Sequence, residues 1–197
     1  NRLQLTHQTK SMPTAKVNLH AHESQHSFDS NTPVEEMAAE YRAQGFDAVG
    51  FVGHGDMTTV DAPGLITING VEHGTGPGVH LVAYPQHDFY IAAHPRYGIL
   101  PRRAVRQFVD LYQPDAVEKY NSGMGQYSGE IATLEVAGDD AHNTEQVGTS
   151  YMQVETKRMS EDAIMDAIKR GNYTVHSEGV SVSGYVRKAI DVVLPGD

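Results

Sequence analysis

Eight residues of the kinds that bind metal ions recur at the ends of apolar runs: His20, His22, His54, Glu72, His80, His94, Asp140 and His142. Two of the spacings are i, i+2, His20 with His22 and Asp140 with His142. Residues so spaced share a face of an extended chain, so each pair can offer two donors to one ion or to two adjacent ions. A lone histidine at a strand end is as often a hydrogen-bonded surface or core residue as a ligand; the ordered set carries the reading. Cysteine is absent, which excludes disulfides and thiolate zinc sites. Imidazoles with carboxylates suit Zn, Mn or Fe better than a calcium cage. The remaining histidines of interest, His7, His73, His87 and His176, read as structural or surface residues, because each lies in the tail, on the opposite side of a strand, or without a paired partner. Glu118 and Asp139 are acidic and near the expected site, and are expected at most to support ligands.

The elements that must position these donors follow from periodicity. In Lys16 to His22, Val17, Leu19 and Ala21 alternate with Asn18, His20 and His22, as a strand requires. Thr32, Pro33 and Glu35 have the form of a capping box with proline at the first helical position, and Val34, Met37, Ala38 and Tyr41 recur at helical spacing up to Gly45. Further strands are expected at Phe46–Val52, Leu65–Glu72, Val79–Tyr84, Tyr90–Ala93, Ala116–Tyr120, Leu134–Ala137 and Tyr173–His176. Helices are expected at Pro101–Tyr112 and from an N-cap at Ser160 through Arg170, closed by Gly171. Alternating strands and helices predict an α/β domain with a largely parallel sheet. If it closes as a barrel, all carboxyl ends of the strands open on one face and bring the dispersed donors together.

The chain of 197 residues suits one domain, expected over 17–197 after a polar, flexible segment at 1–16. Its net charge of -10 gives no diffuse attraction for phosphate backbones or anionic lipid, which argues against long nucleic acid and membrane-surface partners. No stretch approaches the roughly 18 apolar residues of a membrane span. The compartment, cytoplasmic or secreted/periplasmic, and the oligomeric state stay open at this level.

The motifs resemble the polymerase and histidinol phosphatase (PHP) domain superfamily. They are Asn-Leu-His-Ala-His at 18–22, His-Ser-Phe-Asp-Ser at 26–30, Gly-Phe-Asp-Ala-Val-Gly-Phe-Val-Gly-His at 45–54 and Gly-Val-Glu at 70–72. Val-His-Leu at 79–81, Ala-His-Pro at 93–95, Val-Glu-Lys-Tyr-Asn at 117–121 and Asp-Asp-Ala-His at 139–142 complete the order. The resemblance implies a distorted (β/α)7 barrel. It implies two or three divalent metal ions: His20, His22, Glu72 and Asp140 around one, His54 and His142 around a second, and Glu72 with His94 and His80 around a third. Asp29 is the first choice to complete the second site, with His26 as the competitor. Two departures stand out: Asn18 where the family often has Asp, and Val52-Gly53-His54 where it usually has Thr-Asp-His.

What the resemblance implies chemically is a metal-dependent hydrolase, and first a phosphoesterase cleaving a small phosphorylated metabolite or nucleotide with a hydroxide that bridges the cations. His20, His22, Glu72, Asp140 and His142 would form the reactive centre, and Arg96 a second clamp on the phosphate, because a guanidinium can bind two oxygens at once. The same cluster could serve a carboxylesterase or an amide or carbamate hydrolase. The stretch Glu40 to Asp47 is similar to a secreted-type branch of the family that includes such activities. An exonuclease on short oligonucleotides is a further alternative.

Overall fold

The computed structural model describes residues 12–74, 79–95, 102–125 and 134–178. Strand β1 (Thr14–Ala21) begins two residues ahead of the expected alternation and leads to helix α1 (Val34–Ala43) and strand β2 (Ala48–His54). Then come β3 (Ile66–Gly74), β4 (His80–Tyr84), β5 (Phe89–Ala93), α2 (Arg102–Tyr112), β6 (Ala116–Asn121) and the two-residue β7 (Met124–Gly125). Strands β8 (Leu134–Gly138) and β9 (Ser150–Glu155), helix α3 (Glu161–Lys169) and strand β10 (Tyr173–Ser177) complete the order.

One mixed sheet runs β10-β9-β1-β2-β3-β4-β5-β6-β7, with β8 also paired to β6. The sheet nearly closes on itself. Beyond β8 the chain returns to β1 through a bridge between Ala21 and Ala141, with His22 N–H donating to Ala141 O and Asp140 N–H to His20 O, each at 2.8 Å. The architecture is therefore a barrel-shaped α/β sheet, but the expected parallel alternation is not met. Strand β4 runs antiparallel to both β3 and β5, as β9 does to both β1 and β10, and three α-helices occur among the described residues. A short connection between β3 and β4 leaves no room for the crossover helix that parallel neighbours need.

Strand β2 shows why the closed part of the sheet reads as apolar runs. Ala48 and Val52 join the cluster that holds Tyr84, Ile91 and the Ile164 and Ile168 side chains of α3. Val49 and Phe51, on the other face, pack with Met37, Ala38 and Tyr41 of α1. Both faces are covered, so the strand has no polar side to show. Gly50 and Gly70 make room for Tyr84, whose ring and hydroxyl occupy the space a Cβ would need at either position. Buried in this way, the hydroxyl donates to Leu19 O in β1 and ties the interior across the barrel.

Two local expectations differ. The capping box does not form: Pro33 is the N-cap residue and no side chain caps α1. At α3 the expectation holds, with Ser160 Oγ accepting from Ala163 N–H. Strand β9 was not anticipated, although Ser150, Met152 and Val154 are buried while Gln153 and Glu155 are exposed, the alternation of a strand with one face on the core.

Candidate metal centre

His20 and His22 leave β1 on one side and are fully buried. Each ring is held by its Nδ1. His20 Nδ1 lies 2.8 Å from Glu118 Oε1, and His22 Nδ1 lies 3.0 Å from Ser27 Oγ. The Ser27 hydroxyl donates its proton to Val52 O and so accepts from the imidazole. Both Nε2 atoms are thereby directed inward, 3.1 Å apart. Two bare nitrogen lone pairs at that distance repel, so a positive charge must sit between or beside them. Burial disfavours charge on His20, but Glu118, Asp140 and Glu72 outweigh it and hold the ring well above the ordinary histidine value. His22 is lowered to about 4 by burial, against the pull of Asp140. The donor chemistry suits a divalent cation, with a proton in its absence.

Glu72 is the hub. The register of β2 against β3 sets His54 beside Glu72. The carboxylate, 1% exposed, meets five imidazoles: His80 at 2.9 Å, His94 at 3.0 Å, His54 at 3.1 Å, and His20 and His22 at 3.4 Å each. Burial alone would raise its pKa, yet the surrounding histidines hold it well below the usual carboxylate range. His80 reaches this cluster for a reason opposite to the one expected. It opens β4 rather than closing it, and arrives at the same rim because β4 runs antiparallel between β3 and β5.

Asp29 joins His54 and His142. Its oxygens lie 3.0 Å from His54 Nε2 and 3.2 Å from His142 Nε2. Burial opposes ionisation of Asp29, but the two rings pull its pKa well down. His54 is raised to about 9, burial being outweighed by Asp29 and Glu72. His26 turns elsewhere, to the buried Glu23. Donor atoms come within 4.8 Å of one another in three groups: His22, His54 and His142; His20, His22 and Asp140; and His20, Glu72 and His94. His80 and Asp29 border these groups through Glu72 and through His54 and His142.

Asp140 and His142 do not share a strand face. Strand β8 ends at Gly138, and Asp140 has a positive φ of 51°. His94, just past β5, has φ 30°. Non-glycine residues rarely adopt this region, and such strain concentrates where a side chain must be aimed. The aim of Asp140 comes from its neighbour. The Asp139 carboxylate accepts from Asn18 Nδ2 and Tyr41 Oη at 2.8 Å, from Ala141 N–H at 3.2 Å and from Gly148 N–H at 2.8 Å. Burial pushes this carboxyl up to about 7 against those donors. The departure at Asn18 now has a reason, since its amide supplies a donor to Asp139 Oδ1 and its oxygen accepts from Asp139 N–H at 3.0 Å. An aspartate there would set two acceptors against each other.

Asp139→Asn is therefore expected to be costly despite its equal size. The new NH2 would face donors rather than acceptors, and the loss should be about 2–3 kcal/mol in chemical denaturation, with metal content also reduced. Unchanged stability would show that the donors rearrange freely.

Of the remaining expectations, Arg96 and His7 lie outside the described residues. His73 is exposed, His87 pairs with Glu161 at 2.9 Å, and His176 stacks on Tyr151. None of these three is among the grouped donors. Glu118 supports both His20 and His94, accepting from His94 N–H at 2.7 Å. The roles of Ser27 and Tyr41 have little signal in the sequence: Ser27 lies within the 26–30 motif, and Tyr41 has the appearance of an ordinary core position on a helix.

A family model described as PHP-associated matches residues 121–173. No curated protein matches the chain. Among solved structures, a two-domain protein from Bacteroides vulgatus ATCC 8482 containing a "predicted PHP-like metal-dependent phosphoesterase" is similar, with a TM-score of 0.60 and 15% identity over 86% of this chain and 67% of that one. PsfC from Pseudomonas syringae PB-5123 is also similar, with a TM-score of 0.56 and 12% identity over 92% of this chain and 98% of that one. At such identities the likeness is one of fold. The family-model match over 121–173 and this likeness of fold accord with the PHP resemblance of the ordered donor motifs, which the fold gathers at one rim.

Proposed function

We propose that the protein is a metal-dependent hydrolase, and specifically a phosphoesterase acting on a small phosphorylated metabolite or nucleotide. The observation that carries this is the charge balance of the donor set. Six imidazoles, His20, His22, His54, His80, His94 and His142, surround three carboxylates, Asp29, Glu72 and Asp140. Two or three dications, Zn, Mn or Fe, would bring four or six positive charges against three negative ones. With the buried Glu118 beside His20 counted as a fourth negative charge, two dications balance the centre and three leave it net positive inside a chain of net charge -10. A phosphate monoester dianion answers that local field better than a neutral carbonyl does.

Bound in this donor set, divalent cations supply an activated water and neutralise developing charge on the substrate. The chain supplies position. His20, His22, Glu72 and Asp140 form the buried floor, whereas Asp29 is 40% exposed, His80 31%, His142 19% and His54 17% at their side chains. Substrate thus approaches from the side of Asp29, His54, His142 and His80. Arg96, two residues after His94, is the candidate for a further contact to phosphate oxygens.

The test is a substrate panel on protein reconstituted separately with Zn, Mn and Fe. Phosphate monoesters are expected to turn over fastest, short phosphodiesters more slowly and carboxyl esters least. Turnover confined to carboxyl or amide substrates would overturn the phosphoesterase reading and leave a hydrolase of carbonyl compounds; preference for short oligonucleotides would make it an exonuclease.

A further inference from the structure

Phe28 is the most exposed of the large apolar side chains among the described residues, at 89%. Its place in the chain makes that exposure informative. The residue before it, Ser27, holds the His22 ring, and the residue after it, Asp29, joins His54 to His142. Both neighbours are thus pinned to the centre by their side chains, so the Phe28 backbone has little freedom to leave the rim. The ring leans on His54, with centroids 5.1 Å apart and planes tilted by 40°. One face therefore stays open to solvent beside the exposed donors Asp29, His54 and His142 through which substrate must approach.

Exposing a whole phenyl ring forfeits the gain from burying it, and single exposed apolar residues are ordinary on protein surfaces. This one differs in being held at the rim of a charged centre, where the group esterified to a bound phosphate would project outward. From this geometry we infer that Phe28 is a specificity-determining residue, a stacking platform that selects phosphate monoesters whose leaving group carries a planar aromatic ring. The inference rests on the phosphoesterase reading. Offset stacking on a solvent-facing aromatic ring favours flat π systems over alkyl chains of similar size.

The experiment is direct binding to the metal-loaded protein by calorimetry, with phenylphosphonate and methylphosphonate as probes that cannot be hydrolysed as esters. The protein is expected to bind phenylphosphonate more tightly. Phe28→Ala should weaken phenylphosphonate about tenfold, the usual scale for one lost stacking partner, and methylphosphonate by no more than about twofold. Phe28→Tyr should restore the preference. Metal content should match the unaltered protein in both variants. Equal weakening of both probes, no weakening of either, or loss of metal from Phe28→Ala would each overturn the role of Phe28 while leaving the phosphoesterase reading in place. If neither phosphonate binds the unaltered protein, that reading fails and this inference with it.

Discussion

Glu72→Gln is expected to strip the centre of metal and to lower hydrolysis by on the order of 10³-fold or more. The substitution changes almost no volume, so the reason is electrostatic. Five imidazoles converge on the Glu72 oxygens within 3.4 Å, and the side chain is 1% exposed. Glutamine would keep one acceptor oxygen and replace the other with an N–H donor, which cannot bind a cation and repels one. With the hub charge gone, only Asp29, beside His54 and His142, and Asp140, beside His20 and His22, would remain to balance the dications. The check is elemental analysis of metal per chain alongside kcat/KM on the best substrate of the panel. A Glu72→Gln protein with full metal content and undiminished kcat/KM would remove Glu72 from the centre.

Chelation should have an effect of comparable size on activity, and a distinctive one on stability. Metal that binds only the folded chain stabilises it by mass action, so its removal is expected to lower Tm as well as abolish turnover, with both regained on adding Zn, Mn or Fe. The stripped protein should then depend on pH in both directions. His54, raised to about 9, contributes stability that is complete below the unfolded histidine value and lost as pH rises from about 6.5 through about 9, and His20, also raised, adds to the loss on the alkaline side. His22, lowered to about 4, contributes stability that is present above about 6.5 and lost as pH falls through about 4. Glu72, held low, adds a loss on the acid side once pH drops below the usual carboxylate range. Asp139, raised to about 7, loses stability as pH rises from about 4 through about 7 and offsets the His22 gain, so the stripped protein should be most stable on a plateau from about pH 4.5 to about 6.5. Loaded protein should lack the alkaline decline, because metal requires the same imidazoles without their protons. Thermal melts from pH 4 to 9 with and without chelator test this; parallel curves would mean that these histidines do not hold metal.

Much of the architecture was legible because it depends on neighbours along the chain. The alternation around His20 and His22, the unbroken run at Ala48–Val52 and the spacing of Val34, Met37, Ala38 and Tyr41 are local patterns set by backbone geometry. The same holds for Ser160 capping α3. Strand β9 carries the same kind of local signal, its alternation lying between two more conspicuous motifs. Strand direction was not legible. Nothing in Val79–Tyr84 says whether it pairs parallel or antiparallel with β3, because that choice is made by the connection and by partners distant in sequence.

The candidate site divides along the same line. Residue types and their order by themselves determined that imidazoles and carboxylates, with no thiolate, would be the available donors, and that His20 and His22 would share a side. Only the tertiary structure set Asp29, and not His26, against His54 and His142. Both occupy one loop, and the choice depends on where His54 and His142 come to rest and on the buried Glu23 that draws His26 away. It likewise decided that His80 reaches the rim by reversal of its strand, and that Asp140 is aimed through Asp139, Asn18 and Tyr41 rather than by a strand face. A side chain's chemistry is a property of its residue, whereas its direction belongs to contacts closed across tens of residues. The donors could therefore be named before folding was considered, and their grouping could not.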